Sequence, residues 1–408
     1  MALLAMICMA CVAAAAQPPP ILLSPISLPP PASPPAVRSA LSPIAQLGKA
    51  LFFDKSLSSS GRLACASCHD PHSAYGPPPG AGPVMFGGRT MHRAGLRSVP
   101  SLRYLQDRPH FTRHEYLASG DDPEVVGPGG GFMWDGRADA LSAQALIPLL
   151  DPREMANRDV HELATRLRAS AEAGQFRVLY GPQALQDDAR AAARAGQAIT
   201  RFELDDTSFH PHDSRYDGYL LGTHSLSAQE LRGLALFESA EKGNCAECHP
   251  DAPGPQGAPP AFSDYRFVAL GVPRNPALPA NRNTHFYDLG LCGPLRSELL
   301  EESAEYCGLF KTPTLRNVAR RAYFFHNGRF TTLEQVLQFY VQRDLTPERW
   351  YPTQAGRVEL YDDLPPADRV NVDRADPPFD RRPGEAPALN AQELADLIAF
   401  LRTLSDRS

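Results

Sequence analysis

Methionine is missing from the second half of this chain: the 408 residues include seven methionines, and none follows Met155. A metal centre built from later residues has no thioether ligand, so it needs another donor or an open position. Lys and Arg form no dense block and the formal net charge is −6, which argues against nucleic acid or anionic lipid as a partner. No segment alternates convincingly between apolar and polar residues, so few strands are expected.

The N-terminus also lacks a run long enough to be a convincing membrane span, because the apolar stretch MALLAMICMACVAAAA ends after 16 residues. It has no basic residues, but its final alanines suit a signal peptidase. We interpret residues 1–16 as an export signal followed by a mature start at Gln17, with a lipoprotein site at Cys8 or Cys11 as the weaker alternative. Residues 17–40 are proline-rich and predict an extended spacer. The sequence therefore predicts a periplasmic protein without a membrane span in its mature form.

One segment of the chain recurs. LSPIAQLGKALFF, from Leu41, matches LSAQELRGLALFE, from Leu226, with Gly seven and Phe eleven positions after the first Leu in both copies. Apolar residues at helical spacing predict an amphipathic helix in each copy, and each helix is soon followed by the motif Cys-x-x-Cys-His. The repeat predicts two related domains, 41–220 and 221–408.

The two Cys-x-x-Cys-His motifs have the spacing of covalent haem attachment, and they comprise Cys65, Cys68 and His69 in the first domain and Cys245, Cys248 and His249 in the second. Two thiols three positions apart can reach the two vinyl groups of one porphyrin, and the adjacent histidine then points its ring at the iron. Zinc held by four thiolates is the alternative. Against zinc, the pairs lie far apart in the chain, and each has its own histidine and its own preceding helix. The motifs predict two covalently bound haems.

These observations define the expected fold. Further helices are predicted at 141–150, 158–170 and 184–204, and an amphipathic helix at 389–404 closes the chain. Proline and glycine, 41 and 30 residues in all, are frequent between the helices and predict long loops. We expect a mostly α protein with two c-type cytochrome domains in tandem, each binding one covalent haem.

Two cysteines lie outside both the leader and the haem motifs. Cys292 and Cys307 could form a disulfide in an oxidising compartment, which would stabilise the fold by about 3 kcal/mol for a loop of this length. Two buried thiols are the alternative.

Three segments of the chain read LGKALFFDKSLSSSGRLACASCHDP, GGGFMWDGRADALSAQALIPLLDPREM and FKTPTLRNVARRAYFFHNGRFTTLEQVLQFY. Together they resemble the bacterial diheme cytochrome c peroxidases and their relative MauG. The resemblance extends from about residue 41 to about residue 404. It implies that the first haem reacts with hydrogen peroxide and that the second haem exchanges electrons with the first.

The resemblance assigns roles around the first haem. Peroxide cleavage needs an open iron face and a group that moves a proton between the peroxide oxygens. Glu154 matches the family glutamate with this role, and Asp151 is the nearby rival. Gln144 matches the amide that orients the peroxide, and Pro148 matches a wall of the pocket. The alternative is that Gln144 and Glu154 lie on a solvated helix face.

Trp134, with Arg137 at the family's spacing, matches a tryptophan that relays electrons between the two haems. A purely structural aromatic is the alternative. The sixth position of the first iron is either open, as in MauG, or filled by a loop histidine, as in the classical peroxidases. His92 lies two residues from the matching position, and we favour the open pocket.

The second haem needs a ligand that is not methionine. At the position where the peroxidase branch has methionine this chain has Tyr340, and MauG has tyrosine there. A tyrosinate favours ferric or more oxidised iron, whereas a thioether favours ferrous iron. His285 and His326 are rival ligands. Alternatively, Tyr340 is only an aromatic residue of the core and binds no metal.

The family also binds a calcium ion between its domains through one side-chain amide and two backbone carbonyls. The amide position here is Ser98, and the carbonyl positions fall near Arg321 and Tyr323. Relatives often have Thr-x-Pro at residues 321–323. The amide is thus replaced by a hydroxyl. A calcium ion is expected here only if backbone groups and water complete its oxygen ligands.

The function implied is an exported oxidoreductase that uses hydrogen peroxide and draws electrons from a partner protein, as MauG does. One alternative is a cytochrome c peroxidase that receives electrons from a small cytochrome c. A diheme electron carrier without substrate chemistry is a third, and it predicts that both irons are closed by ligands. The segment 103–128 has no assigned counterpart in the family and could form a docking surface or cover the edge of the first haem.

Overall fold

The computed structural model describes residues 40–117, 124–254, 257–296, 298–299 and 304–407. The predicted export signal and the spacer up to residue 39 lie outside these residues. The described part is mostly helical, as predicted, and its helices are α1 (Pro43–Phe53), α2 (Cys65–Cys68), α3 (Leu141–Leu150), α4 (Val160–Ala169), α5 (Ala173–Tyr180), α6 (Asp188–Asp205), α7 (Arg215–Leu220), α8 (Ala228–Glu238), α9 (Cys245–Cys248), α10 (Leu333–Gln342) and α11 (Ala391–Arg402).

The described strands form small antiparallel pairs: β1 (Phe86–Gly87) with β2 (Arg93–Ala94), β3 (Thr112–Leu117) with β4 (Glu124–Gly129), β5 (Phe267–Val268) with β6 (Phe310–Lys311), and β7 (Thr353–Gln354) with β8 (Arg357–Val358). Three of these pairs have strands of two residues, which are too short to show an alternating pattern in the sequence. The longer pair, β3 and β4, lies in the segment 103–128 and its immediate flank.

The described chain packs around two apolar cores. One contains buried side chains from Leu47 to Phe209, and the other contains buried side chains from Tyr216 to Leu404. In the first core α1 packs on α6, and in the second α8 packs on α11. A third, smaller cluster surrounds a disulfide between Cys292 and Cys307, whose Cα atoms are 5.0 Å apart.

The glycine shared by the two sequence repeats allows these helices to approach closely. A Cβ atom on Gly48 of α1 would lie 1.8 Å from the carbonyl oxygen of Ala198 in α6, and one on Gly233 of α8 would lie 2.1 Å from that of Asp396 in α11. No side chain fits at either position, so both copies of the repeat need glycine there. The repeated sequence therefore reflects a repeated packing arrangement.

Buried ion pairs connect the two cores. The Arg97 guanidinium donates to the carboxylates of Asp135, at 2.6 Å, and of Asp288, at 2.7 Å. Arg103 and Tyr104 both donate to Asp406 near the C-terminus. Among the described residues, no helix has the length and apolar character that a membrane crossing requires.

Candidate active site

Each Cys-x-x-Cys-His motif forms a single helical turn that ends at its histidine. In both turns the histidine N–H donates to the carbonyl of the first cysteine, and its side-chain Nδ1 lies near a backbone carbonyl of a later loop. The Nδ1 atom of His69 is 3.0 Å from the oxygen of Tyr75, and that of His249 is 2.9 Å from the oxygen of Phe262. A carbonyl can only accept, so Nδ1 carries the hydrogen and Nε2 keeps its lone pair. This is the tautomer that a metal-ligating histidine needs.

Electrostatics keep both rings neutral. Burial lowers the pKa of His69 to about 4, although hydrogen bonds to the carbonyls of Tyr75 and Pro100 oppose the shift. Burial also lowers the pKa of His249 to about 4, although hydrogen bonds to the carbonyls of Phe262 and Pro313 oppose the shift. A neutral imidazole with a free Nε2 is therefore present in each domain at neutral pH.

The loops that supply these carbonyls contain a second repeat. Val99-Pro100-Ser101-Leu102-Arg103 corresponds to Thr312-Pro313-Thr314-Leu315-Arg316, and the proline carbonyl faces the histidine in both. Tyr75 and Phe262 also match in conformation, because both have left-handed backbones with φ of 54° and 51°. Bulky residues rarely adopt that conformation without a functional constraint. Our reading of the sequence missed this repeat, which the matching Pro-Ser/Thr-Leu-Arg runs could have revealed.

Each histidine opens onto its own cavity. The first cavity is lined by Cys68, His69, Trp134, Arg137, Gln144, Pro148 and Glu154, among others. The second is lined by Cys245, Cys248, His249, His326 and Tyr340, again among others. Within the described part of the chain no three His, Cys, Asp or Glu side chains converge to hold a metal ion. Two separate cavities, each beside one Cys-x-x-Cys-His turn with a neutral imidazole, fit two haems and do not fit one four-thiolate zinc site.

Glu154 is positioned by the β1 hairpin. The N–H of Gly88 donates to the Glu154 carbonyl at 2.8 Å. A Cβ atom on Gly87 would lie only 2.7 Å from the same oxygen, so the hairpin backbone must pass close by. Burial raises the pKa of Glu154 to about 7, with a smaller increase from Asp151 and an opposing effect from Arg137. At neutral pH this carboxyl group can both accept and release a proton.

The other residues predicted for the first pocket also line it. Gln144 is buried and its amide Nε2 lies 3.8 Å from the sulfur of Met133. Pro148 lies inside α3. Asp151 lines the same cavity, but its carboxylate accepts a 2.7 Å hydrogen bond from the backbone N–H of Arg153. Asp151 therefore has a turn-stabilising partner of its own, whereas Glu154 has no hydrogen bond to its carboxylate among the described residues.

Trp134 lies between the two cavities. It lines both of them, and no other described residue does so. Its Nε1 donates to the carbonyl oxygen of Ser98 at 2.8 Å, and its own carbonyl accepts from the N–H of Lys311 at 2.9 Å. The indole is 8% exposed. One hydrogen bond thus holds its ring to the first domain, and another holds its backbone to the second domain.

A third repeat relates the residues above the two cavities. Phe132-Met133-Trp134-Asp135-Gly136-Arg137 matches Phe324-Phe325-His326-Asn327-Gly328-Arg329, and in each copy the Phe pairs with the residue after the Arg as an isolated β-bridge. The ten-residue helices α3 and α10 begin seven residues after Trp134 and His326. Pro148 and Tyr340 are the eighth residues of these helices. Pro148 therefore occupies in the first domain the position that Tyr340 occupies in the second.

Tyr340 faces the second cavity. Its ring stacks on Phe325 and lies 5.2 Å from the ring centroid of Phe379. Burial raises its pKa above the ordinary value, and the nearby thiols of Cys248 and Cys245 raise it further. Of the rival ligands, His285 is exposed and lies outside the described lining of this cavity.

His326 does line the second cavity. Its ring stacks on Phe310 with centroids 3.5 Å apart, and its Nε2 lies 3.8 Å from a carboxylate oxygen of Asp363. His92 is exposed and is absent from the described lining of the first cavity. The described lining of the first cavity thus contains no histidine other than His69.

Comparison with known proteins agrees with this geometry. A family model described as di-haem cytochrome c peroxidase matches residues 42–225. The chain is 31% identical to the methylamine utilization protein MauG of Paracoccus denitrificans, over 91% of this chain and 90% of that protein. The chain belongs to the diheme cytochrome c peroxidase and MauG family.

Two further relatives of this diheme peroxidase are informative. The cytochrome c551 peroxidase of Nitrosomonas europaea is 28% identical over 74% of each chain. The crystal structure of the diheme peroxidase BthA from Burkholderia thailandensis superposes with a TM-score of 0.80 at 37% identity, over 91% of this chain and 88% of that one. A variant of BthA with a tyrosine changed to methionine has also been solved. The chain is thus a haem peroxidase-type oxidoreductase of a family that uses two haems.

The positions that match the family's calcium ligands have an unexpected arrangement in this diheme peroxidase. The Arg321 guanidinium donates to the carbonyl oxygens of Tyr323, at 3.3 Å, and of Val99, at 3.4 Å. The Ser98 hydroxyl is buried and has no hydrogen-bond partner among the described residues. One of the two carbonyls expected to bind calcium, that of Tyr323, therefore already accepts from a cationic side chain.

Proposed function

We propose that this chain is an exported diheme peroxidase that reacts with hydrogen peroxide in the first pocket and passes the oxidising equivalents through the second haem to a partner protein. Cys65 and Cys68 would attach the first haem, and Cys245 and Cys248 the second. When bound, the haems supply the electrons that cleave the oxygen–oxygen bond. His69 and His249 would be the proximal ligands, because each presents a free Nε2 to its cavity.

The observation that carries the proposal is the pairing of Pro148 with Tyr340. The same helical position has a side chain without a donor atom in the first domain and a phenol in the second. A proline there leaves the distal side of the first pocket accessible to a small ligand such as peroxide. The phenol of Tyr340 would close the second. This asymmetry would separate a site that reacts with peroxide from a site that stores an oxidising equivalent.

Proton transfer in the first pocket would be the task of Glu154. It would take the proton from one oxygen of hydrogen peroxide and return it to the other oxygen, which leaves as water. A pKa of about 7 suits both halves of this transfer at neutral pH. Gln144, buried on the same side of the pocket, would orient the peroxide through its amide.

Tyr340 would be the second ligand of the second iron. A phenol with a raised pKa becomes a tyrosinate only when a strong local charge, such as that of ferric iron, stabilises the anion. Such a ligand favours oxidised iron. Trp134, which borders both pockets, would carry electrons between them. A second haem of this kind suits a protein that oxidises amino-acid side chains of a partner, as the MauG-like branch implies.

The competing function is a cytochrome c peroxidase that takes electrons from a small cytochrome c. The similarity to the Nitrosomonas europaea cytochrome c551 peroxidase favours it. The two functions share the peroxide step and differ in the reductant. They also differ in the second ligand of the second haem iron, because the peroxidase branch is expected to have methionine where this chain has Tyr340.

Electron paramagnetic resonance of the resting ferric enzyme, before and after stoichiometric peroxide, tests the proposal. We expect one high-spin and one low-spin haem, with the low-spin signal altered in Tyr340→Phe. Tyr351→Phe is the matched control, because its hydroxyl donates to Gly271 and Tyr351 is absent from the described lining of the cavity. Two low-spin signals that the Tyr340 substitution leaves unchanged, with peroxide reacting only after one haem is reduced, would overturn the proposal in favour of a cytochrome c peroxidase.

A further inference from the structure

We propose that the guanidinium of Arg321 takes the place of the calcium ion between the domains, so that this diheme peroxidase works without calcium. Arg321 lies at the junction between the two pockets, and its role there is the same for either reductant. Calcium content and haem spectra, rather than turnover, therefore test this role.

The donor set at this junction does not fit calcium. Calcium takes six to eight oxygen ligands, usually including carboxylates or amide oxygens. Here the amide is replaced by Ser98, whose hydroxyl is buried and unpartnered among the described residues. The carbonyl of Tyr323 accepts from Arg321, and so does the carbonyl of Val99. One of the two carbonyls expected to bind calcium, that of Tyr323, is thus already hydrogen-bonded to a cation, and none of the three matching positions has a side-chain carboxylate or amide.

The charge on one side of the junction is basic. Arg321 lines a third cavity, which also borders Trp134, and the described charged residues that line it are all basic: Arg108, Lys311, Arg316, Arg320 and Arg321. On its other side Arg321 borders the second cavity, where Asp288 and Asp363 are each paired with an arginine. Arg316 is balanced by Asp217, at 3.0 Å. Lys311 donates to the Gly131 carbonyl and, like Arg321, has no carboxylate within hydrogen-bond distance among the described residues. Burial lowers the pKa of Lys311 well below its ordinary value, which shows that this side of the junction already disfavours positive charge. Adding two further positive charges beside the Arg321 guanidinium would be electrostatically unfavourable.

Arg321 can perform the structural task of a bridging ion. Val99 belongs to the first domain and precedes Pro100, whose carbonyl faces His69. Tyr323 belongs to the second domain and precedes the turn that contains His326. One guanidinium therefore ties together backbone segments next to both pockets. It also lies beside Ser98, whose carbonyl accepts from the Trp134 indole, so it would hold the residue between the pockets in place.

The guanidinium is present in every copy of the chain, whereas an ion can dissociate. Burial lowers the pKa of Arg321 to about 10, so the side chain remains cationic at neutral pH. The junction would then keep its geometry whatever the concentration of free calcium. Chelators should have no effect on a protein built this way.

The test measures calcium in the purified holoenzyme and records its paramagnetic resonance spectrum with and without EGTA. We expect substoichiometric calcium and an unchanged spectrum. Arg321→Gln should alter the haem signals and lower the melting temperature. Arg320→Gln removes the same charge one residue away, where the guanidinium donates to the Asp406 carbonyl, and should leave the haem signals as in the wild type.

A gain-of-site variant completes the experiment. Ser98→Asn combined with Arg321→Thr and Tyr323→Pro restores the residues that the family is expected to have, and its spectrum should respond to added calcium and to EGTA. One calcium per wild-type chain, removable by EGTA with a change in the haem signals, would overturn the inference. So would an Arg321→Gln variant with unchanged haem signals. If that variant does not fold, the wild-type calcium content and the triple variant still decide the question.

Discussion

Glu154 and Glu203 are both buried carboxyl groups of the first domain, but they differ in what they face. Burial raises the pKa of Glu154 to about 7 and that of Glu203 to about 8. Glu154 lines the cavity with His69, whereas Glu203 lies on α6 and is absent from the described lining. A shifted pKa alone therefore does not identify a catalytic acid, and position must be considered with it.

Replacing Glu154 by Gln should slow the reaction with peroxide by roughly 10²- to 10⁴-fold, the usual contribution of a positioned acid or base. Stopped-flow mixing of ferric enzyme with peroxide measures this rate directly. Glu203→Gln is the matched control, because Glu203 is equally buried and lies near Cys65 but is absent from the described lining of the cavity that contains Glu154. This variant should react at nearly the wild-type rate. Equal losses in both variants would show that the effect comes from the fold rather than from proton transfer.

Glu154 also determines how the rate of the peroxide step should depend on pH. Glu154 must be a carboxylate to accept the first proton, and its pKa is raised from the ordinary value to about 7. The rate of the peroxide step should therefore rise with pH around neutrality and level off when the carboxyl group is fully ionised. In Glu154→Gln this rise should disappear. A wild-type rate that falls over this range would contradict the assignment.

At the scale of elements, helices α3 and α10 are two copies of one structure that present different side chains to their cavities. Both have ten residues, and both follow a turn that ends in Gly-Arg. The eighth residue is Pro148 in one helix and Tyr340 in the other. A single position in a repeated helix is thus expected to decide whether an iron face is open or closed.

Pro148→Tyr should close the first pocket. If the positions are equivalent, the new phenol reaches the first haem, the high-spin signal is lost, and the reaction with peroxide slows. Pro148→Phe is the control, because it adds a ring of similar size without a donor atom and should retain the high-spin signal. Paramagnetic resonance of the two ferric variants distinguishes ligation from steric filling. High-spin signals in both would mean that residue 148 does not reach the iron.

Elements with strong helical periodicity were predictable from the sequence. The prediction of 141–150 matches α3, and those of 158–170 and 184–204 differ from α4 and α6 by only a few residues. Helix α5 was missed because it has eight residues and follows α4 closely. The hairpin of β3 and β4 was also missed, since its register shifts disturb regular alternation.

The site was predictable where its chemistry is contained in a short motif or a family segment. Glu154, Gln144, Pro148 and Trp134 were all named from sequence and all line the first cavity. The carbonyl partners of the histidines were not predictable, because they depend on a left-handed backbone at Tyr75 and its counterpart in the second domain. The pairing of the two repeated helices was missed for a different reason. The spacing between repeats changes from motif to motif, so no fixed period reveals it.

At the scale of the whole molecule, the two pockets are held together by buried polar contacts. Arg97 is paired with Asp135 of the first domain and Asp288 of the second. Asp135 is adjacent to Trp134, so the ion pairs fix the segment that borders both cavities. Breaking a buried pair of this kind typically costs about 3–5 kcal/mol. The junction is therefore expected to be rigid, which keeps the distance between the pockets constant.

Replacing Trp134 by Phe tests whether this rigid junction also carries electrons. Phe keeps an aromatic ring but removes the hydrogen bond to Ser98 and is much harder to oxidise than Trp. We expect peroxide to change the signals of both haems together in the wild type, and that of the first haem before the second in Trp134→Phe. Trp350→Phe is the control, because Trp350 packs on Phe330 and Phe339 and is absent from the described lining of both cavities. A Trp134→Phe protein that melts at a lower temperature yet still changes both signals together would mean that the indole only supports the fold.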